Sequence, residues 1–250
     1  SGASPDQLIG EGSAGYLWSH TAASHIAELQ PGARIIAILR EPAAFLRSFH
    51  LQLLQSHIES KTDLRKALAL EAARRSGRRI PFRSHLPQLL QYSDQVRYTD
   101  QLRRFYDRFP REQVLVLIYD DFRADNEGTV RKVLRFLEVD EEVPIANVEV
   151  KVTRRQVRSQ LLDDLTYYLP RDDGSPLSRA TKATVKALTW RSLRRGAVTA
   201  VRRRVVLGQL PPVDEAFMTE LRERFRGEVV ALSEYLGRDL VSLWGYDSLA

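Results

Sequence analysis

The chain has 250 residues, and its 38 lysines and arginines against 32 acidic residues give a formal net charge of +6. This positive charge favours anionic partners such as phosphates, sulfates, acidic sugars, nucleic acid or membrane surfaces, without choosing among them. The absence of cysteine excludes disulfides, thiol catalysis and cysteine-ligated metals. The histidines do not show the spacing of a zinc site, so we expect no metal.

The composition is that of a globular protein. Hydrophobic residues make up 43% of the chain and charged residues 28%, which is enough apolar material for a substantial core. No apolar run approaches the roughly 20 residues that a membrane helix needs. The first five residues lack the basic and apolar regions of a signal peptide. We therefore expect a cytoplasmic protein with a single domain over residues 1–250.

The first motif along the chain is a glycine-rich segment at residues 10–15, which spells GxGxxG. In a dinucleotide-binding fold such glycines follow a buried strand and let a pyrophosphate approach a helix N-terminus. Only Leu8 and Ile9 precede the motif as apolar residues. A glycine-rich loop is the simpler interpretation, and an oxidoreductase that uses Gly10, Gly12 and Gly15 is kept as an alternative.

Two short apolar runs predict strands at residues 34–39 and 113–119. Both are unbroken and rich in branched side chains, which is typical of strands buried on both faces of a parallel sheet. The segments around them have helical periodicity. An apolar stripe with 3.6-residue spacing runs from Phe217 to Leu236, and Gly237 stands where a helix ends. This pattern predicts an α/β protein, with a parallel sheet flanked by helices.

A cation and a hydroxyl follow the first of these strands. The predicted strand ends at Arg40. Glu41-Pro42 breaks the strand, and Pro42 is well placed to begin a helix. Ser48 lies about two turns into that helix. Ligands of open α/β sheets gather at the carboxyl ends of strands, and a guanidinium with a nearby hydroxyl can clamp a phosphate monoester. The alternative is an ion pair between Arg40 and a neighbouring acid, with Ser48 solvated.

Four segments in order resemble sulfotransferases that use 3′-phosphoadenosine 5′-phosphosulfate (PAPS). The spacing of Arg40 and Ser48, with Glu41-Pro42 after the arginine, is similar to the 3′-phosphate-binding segment of that family. The other three segments are the glycine-rich residues 10–17, the block at 98–122, and the ending at 236–244. The bacterial carbohydrate- and lipid-type enzymes are nearer than the cytosolic phenol type.

The resemblance implies a P-loop-like fold, PAPS as co-substrate, and a carbohydrate, lipid or other small-molecule acceptor. It also implies a strand and a 5′-phosphosulfate loop upstream of Gly10. Only nine residues precede Gly10, so we expect these elements to be missing from the 250 residues and the chain alone to transfer little sulfate.

The resemblance also implies roles for individual residues. Arg40 and Ser48 are expected to bind the 3′-phosphate, without a metal. Glu11 matches an acidic position of the family and is a candidate general base, as is His50 on the helix that carries Ser48. A basic loop that enters a helix is expected to supply further anion contacts, from Arg154, Arg155 and Arg158.

A basic stretch at about residues 170–212 sets that part of the chain apart, because it contains no acid after Asp173. We interpret it as a helical subdomain or lid, with a solvated helix pair as the simpler alternative. A non-catalytic basic module that binds nucleic acid or anionic surfaces is a second alternative function. Nucleic acid is not expected, because no recognisable docking element is present.

Overall fold

The structure is a computed structural model that describes residues 4, 7–13, 15–82, 84–145, 155–157, 207–209 and 212–249. The α-helices and strands in these ranges carry the following labels. The helices are α1 (Ala22–Leu29), α2 (Pro42–Gln55), α3 (Leu64–Leu68), α4 (Glu71–Arg75), α5 (Tyr92–Gln95), α6 (Tyr98–Tyr106), α7 (Tyr119–Ala124), α8 (Asn126–Leu137), α9 (Glu215–Leu236) and α10 (Leu240–Leu243), and the strands are β1 (Ile35–Leu39), β2 (Val114–Ile118), β3 (Arg155–Val157) and β4 (Leu207–Gln209).

The chain divides into two compact units. The first unit comprises Ser1–Pro42, Asp94–Asn147 and Phe225–Ala250, and the second comprises Ala43–Ser93 and Val148–Arg224. A single domain over residues 1–250 stays a prediction. Most of the basic stretch at 170–212 lies outside the described residues; β4 falls within it and is a strand, so the helical interpretation is wrong for Leu207–Gln209.

Strands β1 and β2 form a parallel pair in the first unit. Their register runs from Ile35 opposite Val114 to Leu39 opposite Ile118, without a bulge. Both strands fall within the ranges that the apolar runs predict, and helices precede and follow each of them. The prediction of an α/β protein with a parallel sheet is confirmed.

Strand β1 is not buried on both faces, which corrects the prediction for this strand. Ala37 and Leu39 are buried, whereas the intervening Ile36 and Ile38 are 39% and 54% exposed. Successive side chains of a strand point to opposite faces, so this alternation shows that one face of β1 packs on the core and the other is only partly covered. Among the described residues, the sheet that contains β1 has two strands.

The core of the first unit joins helices to the second strand. One buried cluster consists of Ala23 of α1, Phe105 of α6, Val114 of β2, and Phe109, which lies between α6 and β2. Ile35 of β1 packs against this cluster. Phe109 is 2% exposed. Burying an aromatic side chain of this size stabilises the fold by about 1.5–3 kcal/mol.

Helix ends are fixed by short-range signals in the sequence. Asp125 accepts a hydrogen bond from the Gly128 backbone N–H (2.8 Å) and so caps the N-terminus of α8. A Cβ at position 128 would lie 2.0 Å from the Asp125 carboxylate, so a larger residue there would have to displace the capping side chain. At the other end of the chain, Gly237 has φ +62° and follows α9 directly, as its sequence position predicts.

The second unit contains a buried ion pair. Arg74 donates hydrogen bonds to both carboxylate oxygens of Glu59, at 2.7 Å each, and the two side chains are 1% and 0% exposed. The Tyr92 hydroxyl also donates to Glu59 (2.9 Å). Burial alone would raise the pKa of Glu59, but the Arg74 hydrogen bonds, the backbone N–H groups of residues 60 and 61 and the Arg74 charge hold it below its usual value.

His50 extends this polar network. Its Nδ1 lies 2.9 Å from the Tyr92 hydroxyl and its Nε2 lies 3.3 Å from the Thr62 carbonyl oxygen. The residue is 3% exposed. Burial lowers the pKa of His50, although the Thr62 carbonyl and the Glu59 charge act in the opposite direction. The neutral imidazole is therefore the form that the folded protein favours.

Strands β3 and β4 form a short antiparallel pair in the second unit, with Arg155 opposite Gln209. The resemblance predicts that the basic segment around Arg155 enters a helix. Residues 155–157 are instead a strand, so that expectation is wrong for them. None of the helices in the described ranges has the length and apolar character to cross a bilayer.

The buried ion pair predicts a large cost for removing one partner. The Arg74→Met substitution leaves the Glu59 carboxylate buried without its cation, so we expect the free energy of unfolding to fall by about 3–5 kcal/mol. Urea denaturation followed by circular dichroism measures this change. The control is Arg97→Met, which breaks an ion pair with Asp100 whose side chains are 55% and 40% exposed, and it should cost no more than about 1 kcal/mol. Equal losses in the two variants would contradict this account.

The lowered pKa of His50 predicts a loss of stability in mild acid. Unfolding returns the imidazole to its ordinary pKa of about 6.5, so the unfolded chain takes up the proton first. The contribution of neutral His50 is fully present above about pH 6.5 and is lost as the pH falls from there towards the folded pKa.

Free energies of unfolding measured from about pH 7.5 down to about pH 5 test this dependence. The His50→Gln substitution should flatten the slope, whereas His20→Gln, at an exposed position, should leave it unchanged. Protonation of Glu59 can be distinguished from protonation of His50, because the ordinary pKa of Glu59 is 4.5 and the fold lowers it further. An unchanged slope in His50→Gln would show that another group is responsible.

Candidate functional site

The candidate site lies at the carboxyl ends of β1 and β2 in the first unit. Because Leu39 pairs with Ile118 at the end of the register, the next residues, Arg40 and Tyr119, leave the sheet at the same edge. The Arg40 guanidinium carbon lies 4.9 Å from the centre of the Tyr119 ring. This cation–π contact holds a half-buried cation where an anionic ligand of an α/β sheet binds.

Acidic residues follow both strands at this edge. Glu41 comes directly after Arg40, and Asp120 and Asp121 come directly after Tyr119. Left unpaired, three carboxylates beside Arg40 would repel an anionic ligand. Each of the three instead accepts a hydrogen bond from the C-terminal segment, which we define as residues 237–246.

The two aspartates after β2 are bound by a cation and an indole. Arg238 donates two parallel hydrogen bonds to Asp121, at 2.5 and 2.7 Å. These bonds lower the pKa of Asp121, and the Arg238 charge acts in the same direction. The Trp244 indole N–H donates to Asp120 at 2.9 Å. The Asp121 charge is therefore paired and the Asp120 carboxylate is hydrogen-bonded.

Glu41 is bound from the same segment. The Tyr246 hydroxyl donates to Glu41 Oε1 at 2.5 Å, and the two residues are 0% and 7% exposed. The buried Tyr98 lies beside this pair. Burial and then the Glu41 carboxylate raise the pKa of Tyr98, while the charge and the backbone of Arg40 act in the opposite direction. Arg40 and Glu41 therefore sit among three tyrosines, Tyr98, Tyr119 and Tyr246.

Local sequence explains why the C-terminal segment reaches the sheet edge. Gly237 adopts a left-handed conformation, which ends α9 and turns the chain. Asp239 then caps the short helix α10 by accepting a hydrogen bond from the Ser242 backbone N–H at 2.9 Å. This bond lowers the pKa of Asp239. The turn and the cap bring Trp244 to Asp120, which follows β2, and Tyr246 to Glu41, which follows β1.

The residues that the sequence proposes as bases lie in contrasting places. Glu11 is exposed in the first unit and accepts a hydrogen bond from the Tyr16 hydroxyl. This bond and the Glu11 charge raise the pKa of Tyr16. His50 is buried in the second unit, and both of its ring nitrogens lie within hydrogen-bonding distance of protein oxygens. Its geometry suits a packed core residue.

The predicted cofactor-binding residues are only partly described. Arg40 lies at the carboxyl end of β1, as predicted, and Ser48 is exposed on α2. Arg154 and Arg158 lie outside the described residues, and for Arg155 only the strand position is described. Their roles stay predictions.

Sequence reasoning missed the tyrosines of this site. Tyr119 could have been found by the rule that identified Arg40, because it too follows a strand directly. Tyr246 lies 205 residues from Glu41 along the chain, and no local pattern indicates that contact. Tyr98 lies at the start of a helix, where its apolar character predicts packing alone.

The glycine-rich motif does not have the surroundings of a dinucleotide site. Among residues 7–13 and 15–21, no strand precedes it and no helix follows directly; the next helix is α1, which begins at Ala22. A Cβ at Gly10 or Gly12 would meet nothing within 4 Å, so close approach does not require glycine there. The oxidoreductase alternative is therefore not supported by this geometry.

The described residues also contain no group of three or more histidine, aspartate or glutamate side chains that could hold a metal ion. A shallow pocket lies between β2 and the two helices that follow it, and Asp121, Lys132 and Arg135 are among its lining residues. Arg135 is paired there with Glu141 at 2.9 Å. The pocket mixes both charges, and we assign it no ligand.

Comparisons with known proteins identify the family of the chain. A model of the sulfotransferase family matches residues 16–142, which include both strands and the residues that follow them. The crystal structure of a sulfotransferase from Alicyclobacillus acidocaldarius is similar in fold, with a TM-score of 0.60 and 22% sequence identity over 97% of this chain and 70% of that chain. A comparison with curated proteins gives no match. The family match spans just over half of this chain, and the chain therefore belongs to the sulfotransferase family.

Proposed function

We propose that the protein transfers a sulfuryl group from PAPS to a hydroxyl or amine of a carbohydrate, lipid or other small-molecule acceptor. The observation that carries this proposal is the place of Arg40. In a chain of the sulfotransferase family, a half-buried guanidinium stands at the carboxyl edge of the parallel sheet, 4.9 Å from the centre of an aromatic ring. A guanidinium in this position suits a phosphate monoester.

Donors of the C-terminal segment engage the carboxylates around Arg40. Of the neighbouring carboxylates, Asp121 is paired with Arg238, and Asp120 and Glu41 accept hydrogen bonds from Trp244 and Tyr246. Each of these carboxylates has at least one lone pair engaged by a donor of the C-terminal segment, so it competes less with a phosphate for Arg40. We propose that Arg40 binds the 3′-phosphate of PAPS and that Ser48 of α2 supplies a second contact.

PAPS supplies the sulfuryl group and leaves as 3′-phosphoadenosine 5′-phosphate (PAP). By analogy with phosphoryl transfer, the protein positions the reactants, and one residue takes the proton of the acceptor hydroxyl. Arg40 is a binding residue in this scheme, because the 3′-phosphate does not react. Arg154, Arg155 and Arg158 are proposed as further anion contacts on the strength of the resemblance alone.

We propose Glu11 rather than His50 as the general base. Glu11 is exposed, so an acceptor can reach its carboxylate, and its partner Tyr16 is exposed as well. His50 is 3% exposed, and a substrate could reach its imidazole only if the Tyr92 or Thr62 contact broke. A base must come within hydrogen-bond reach of the proton that it removes.

The role of Arg40 predicts selective binding of PAP over adenosine 5′-phosphate (AMP), because only PAP carries the 3′-phosphate. Removing one charge-assisted contact costs about 1.5–3 kcal/mol, so Arg40→Ala should weaken PAP binding roughly tenfold or more and leave AMP binding unchanged. Isothermal titration calorimetry measures both affinities.

Arg111 offers a matched control for Arg40. It also stacks on a tyrosine, with its guanidinium carbon 5.2 Å from the centre of the Tyr106 ring, but it precedes β2 at the opposite end of the sheet. Arg111→Ala should leave both affinities unchanged. Equal affinity of the unaltered protein for PAP and AMP would rule out this assignment of Arg40.

The role of Glu11 predicts a loss of rate without a loss of nucleotide binding. Glu11→Gln should lower kcat by about 10²–10⁴-fold, the usual contribution of a general base, and leave PAP affinity unchanged. Transfer of radiolabelled sulfate from PAPS to a panel of hydroxyl acceptors measures the rate, which is compared with the low rate expected of the unaltered chain. Glu28→Gln, at another exposed position in the first unit, is the control. A larger rate loss in a folded His50→Gln variant than in Glu11→Gln would reverse the choice of base.

A further inference from the structure

We propose that Tyr246 is a positioning residue for the anion site: through Glu41 it holds Arg40 in the place where Arg40 binds the 3′-phosphate. This inference rests on the proposed function of Arg40. It assigns Tyr246 a role in nucleotide selectivity, although the Tyr246 hydroxyl contacts Glu41 and is not proposed to contact the nucleotide.

The first step of the argument is the contact itself. The Tyr246 hydroxyl donates to the Glu41 carboxylate at 2.5 Å, within the range of a charge-assisted hydrogen bond. Tyr246 is 0% exposed and Glu41 is 7% exposed. Hydrogen bonds to a buried carboxylate are stronger than those in water, and removing one of its donors is costly. The contact therefore fixes where the Glu41 side chain can lie.

The second step is the short path from Glu41 to Arg40. On the other side of Arg40, Leu39 is 0% exposed and paired with Ile118 in the sheet. Pro42 follows Glu41, begins α2, and has a restricted φ. The Arg40 backbone is thus held between a sheet residue and an anchored glutamate, and its guanidinium lies over Tyr119. A shift of Glu41 would move the Arg40 backbone and, with it, the guanidinium.

The third step is the charge balance. Glu41 is the acid adjacent to Arg40 in sequence, and each lone pair of its carboxylate that is not engaged can compete with a phosphate for the guanidinium. The Tyr246 hydroxyl occupies one lone pair of Oε1. Loss of this hydroxyl is expected both to misplace Arg40 and to make a lone pair of the Glu41 carboxylate available to the guanidinium. Either change weakens binding of a 3′-phosphate, and neither affects a nucleotide that lacks one.

The test is the ratio of PAP to AMP affinity in Tyr246→Phe, measured by calorimetry on the full chain. Phenylalanine keeps the ring and removes only the hydroxyl. We expect PAP binding to weaken roughly three- to thirtyfold, the range found for residues that act through a neighbour, while AMP binding stays within about twofold. Tyr235→Phe is the matched control, because the Tyr235 ring contacts Tyr106 and Arg103 in the same unit, away from the strand ends. It should change neither affinity.

A second pair of variants keeps the proposal testable if Tyr246→Phe does not fold. Glu41→Gln retains an oxygen that accepts from Tyr246, so it should preserve the preference for PAP. Glu41→Ala removes the acceptor, so it should lose the preference to the same extent as Tyr246→Phe. A merely structural role would lower the unfolding temperature of these variants without changing the PAP to AMP ratio.

The outcomes separate this inference from the proposed function. If the unaltered protein does not prefer PAP, the assignment of Arg40 itself is wrong. If the unaltered protein prefers PAP, and folded Tyr246→Phe or Glu41→Ala keeps the same ratio of PAP to AMP affinity, the assignment of Arg40 is retained. The positioning role of Tyr246 is then overturned.

Discussion

The parallel pairing of β1 with β2 is the constraint on which the candidate site depends. The unbroken register ends with Leu39 opposite Ile118, so the next residues of both strands leave the sheet together. Hydrogen bonding between two five-residue strands thereby places a guanidinium over an aromatic ring, although Arg40 and Tyr119 are far apart in the sequence. A shift of one residue in this register would exchange the faces of the strand and turn the core residues Ala37 and Leu39 outwards.

A second constraint is electrostatic. The edge that carries Arg40 also carries three carboxylates, and a phosphate site needs those charges engaged elsewhere. The C-terminal segment meets this need with three different donors: a guanidinium, an indole N–H and a phenol hydroxyl. The C-terminal segment therefore acts on the chemistry of the strand ends. The second unit shows the same principle in its core, where Arg74 and Tyr92 engage the buried Glu59.

Much of the fold could be predicted from the sequence, because its signals are local. Two apolar runs identified both strands of the parallel sheet, and the spacing from Phe217 to Leu236 with Gly237 identified the last long helix and its end. Arg40 was placed at a strand end by the same logic. The exposed face of β1 was not predicted, because an unbroken run of apolar residues does not reveal how much covers each face.

The rest of the site was beyond sequence reasoning because it depends on contacts between distant segments. Nothing near Tyr246 indicates that its hydroxyl meets Glu41, and nothing near Glu41 indicates that its carboxylate is buried. His50 illustrates the opposite error: a histidine on the helix of Ser48 is a reasonable base on sequence grounds. Its burial and its two hydrogen-bonding contacts arise from Tyr92 and Thr62, which lie on other parts of the second unit.

The central claim is that Arg40, at the carboxyl edge of the β1–β2 pair, holds the 3′-phosphate of the nucleotide. A crystal structure of the protein with PAP tests this claim most directly. The account predicts phosphate oxygens about 2.7–2.9 Å from the Arg40 guanidinium nitrogens, the range for a charge-assisted hydrogen bond, with the hydrogen bond between Tyr246 and Glu41 intact. A nucleotide bound with its 3′-phosphate away from Arg40, or Arg40 paired with Glu41 in the complex, would contradict it.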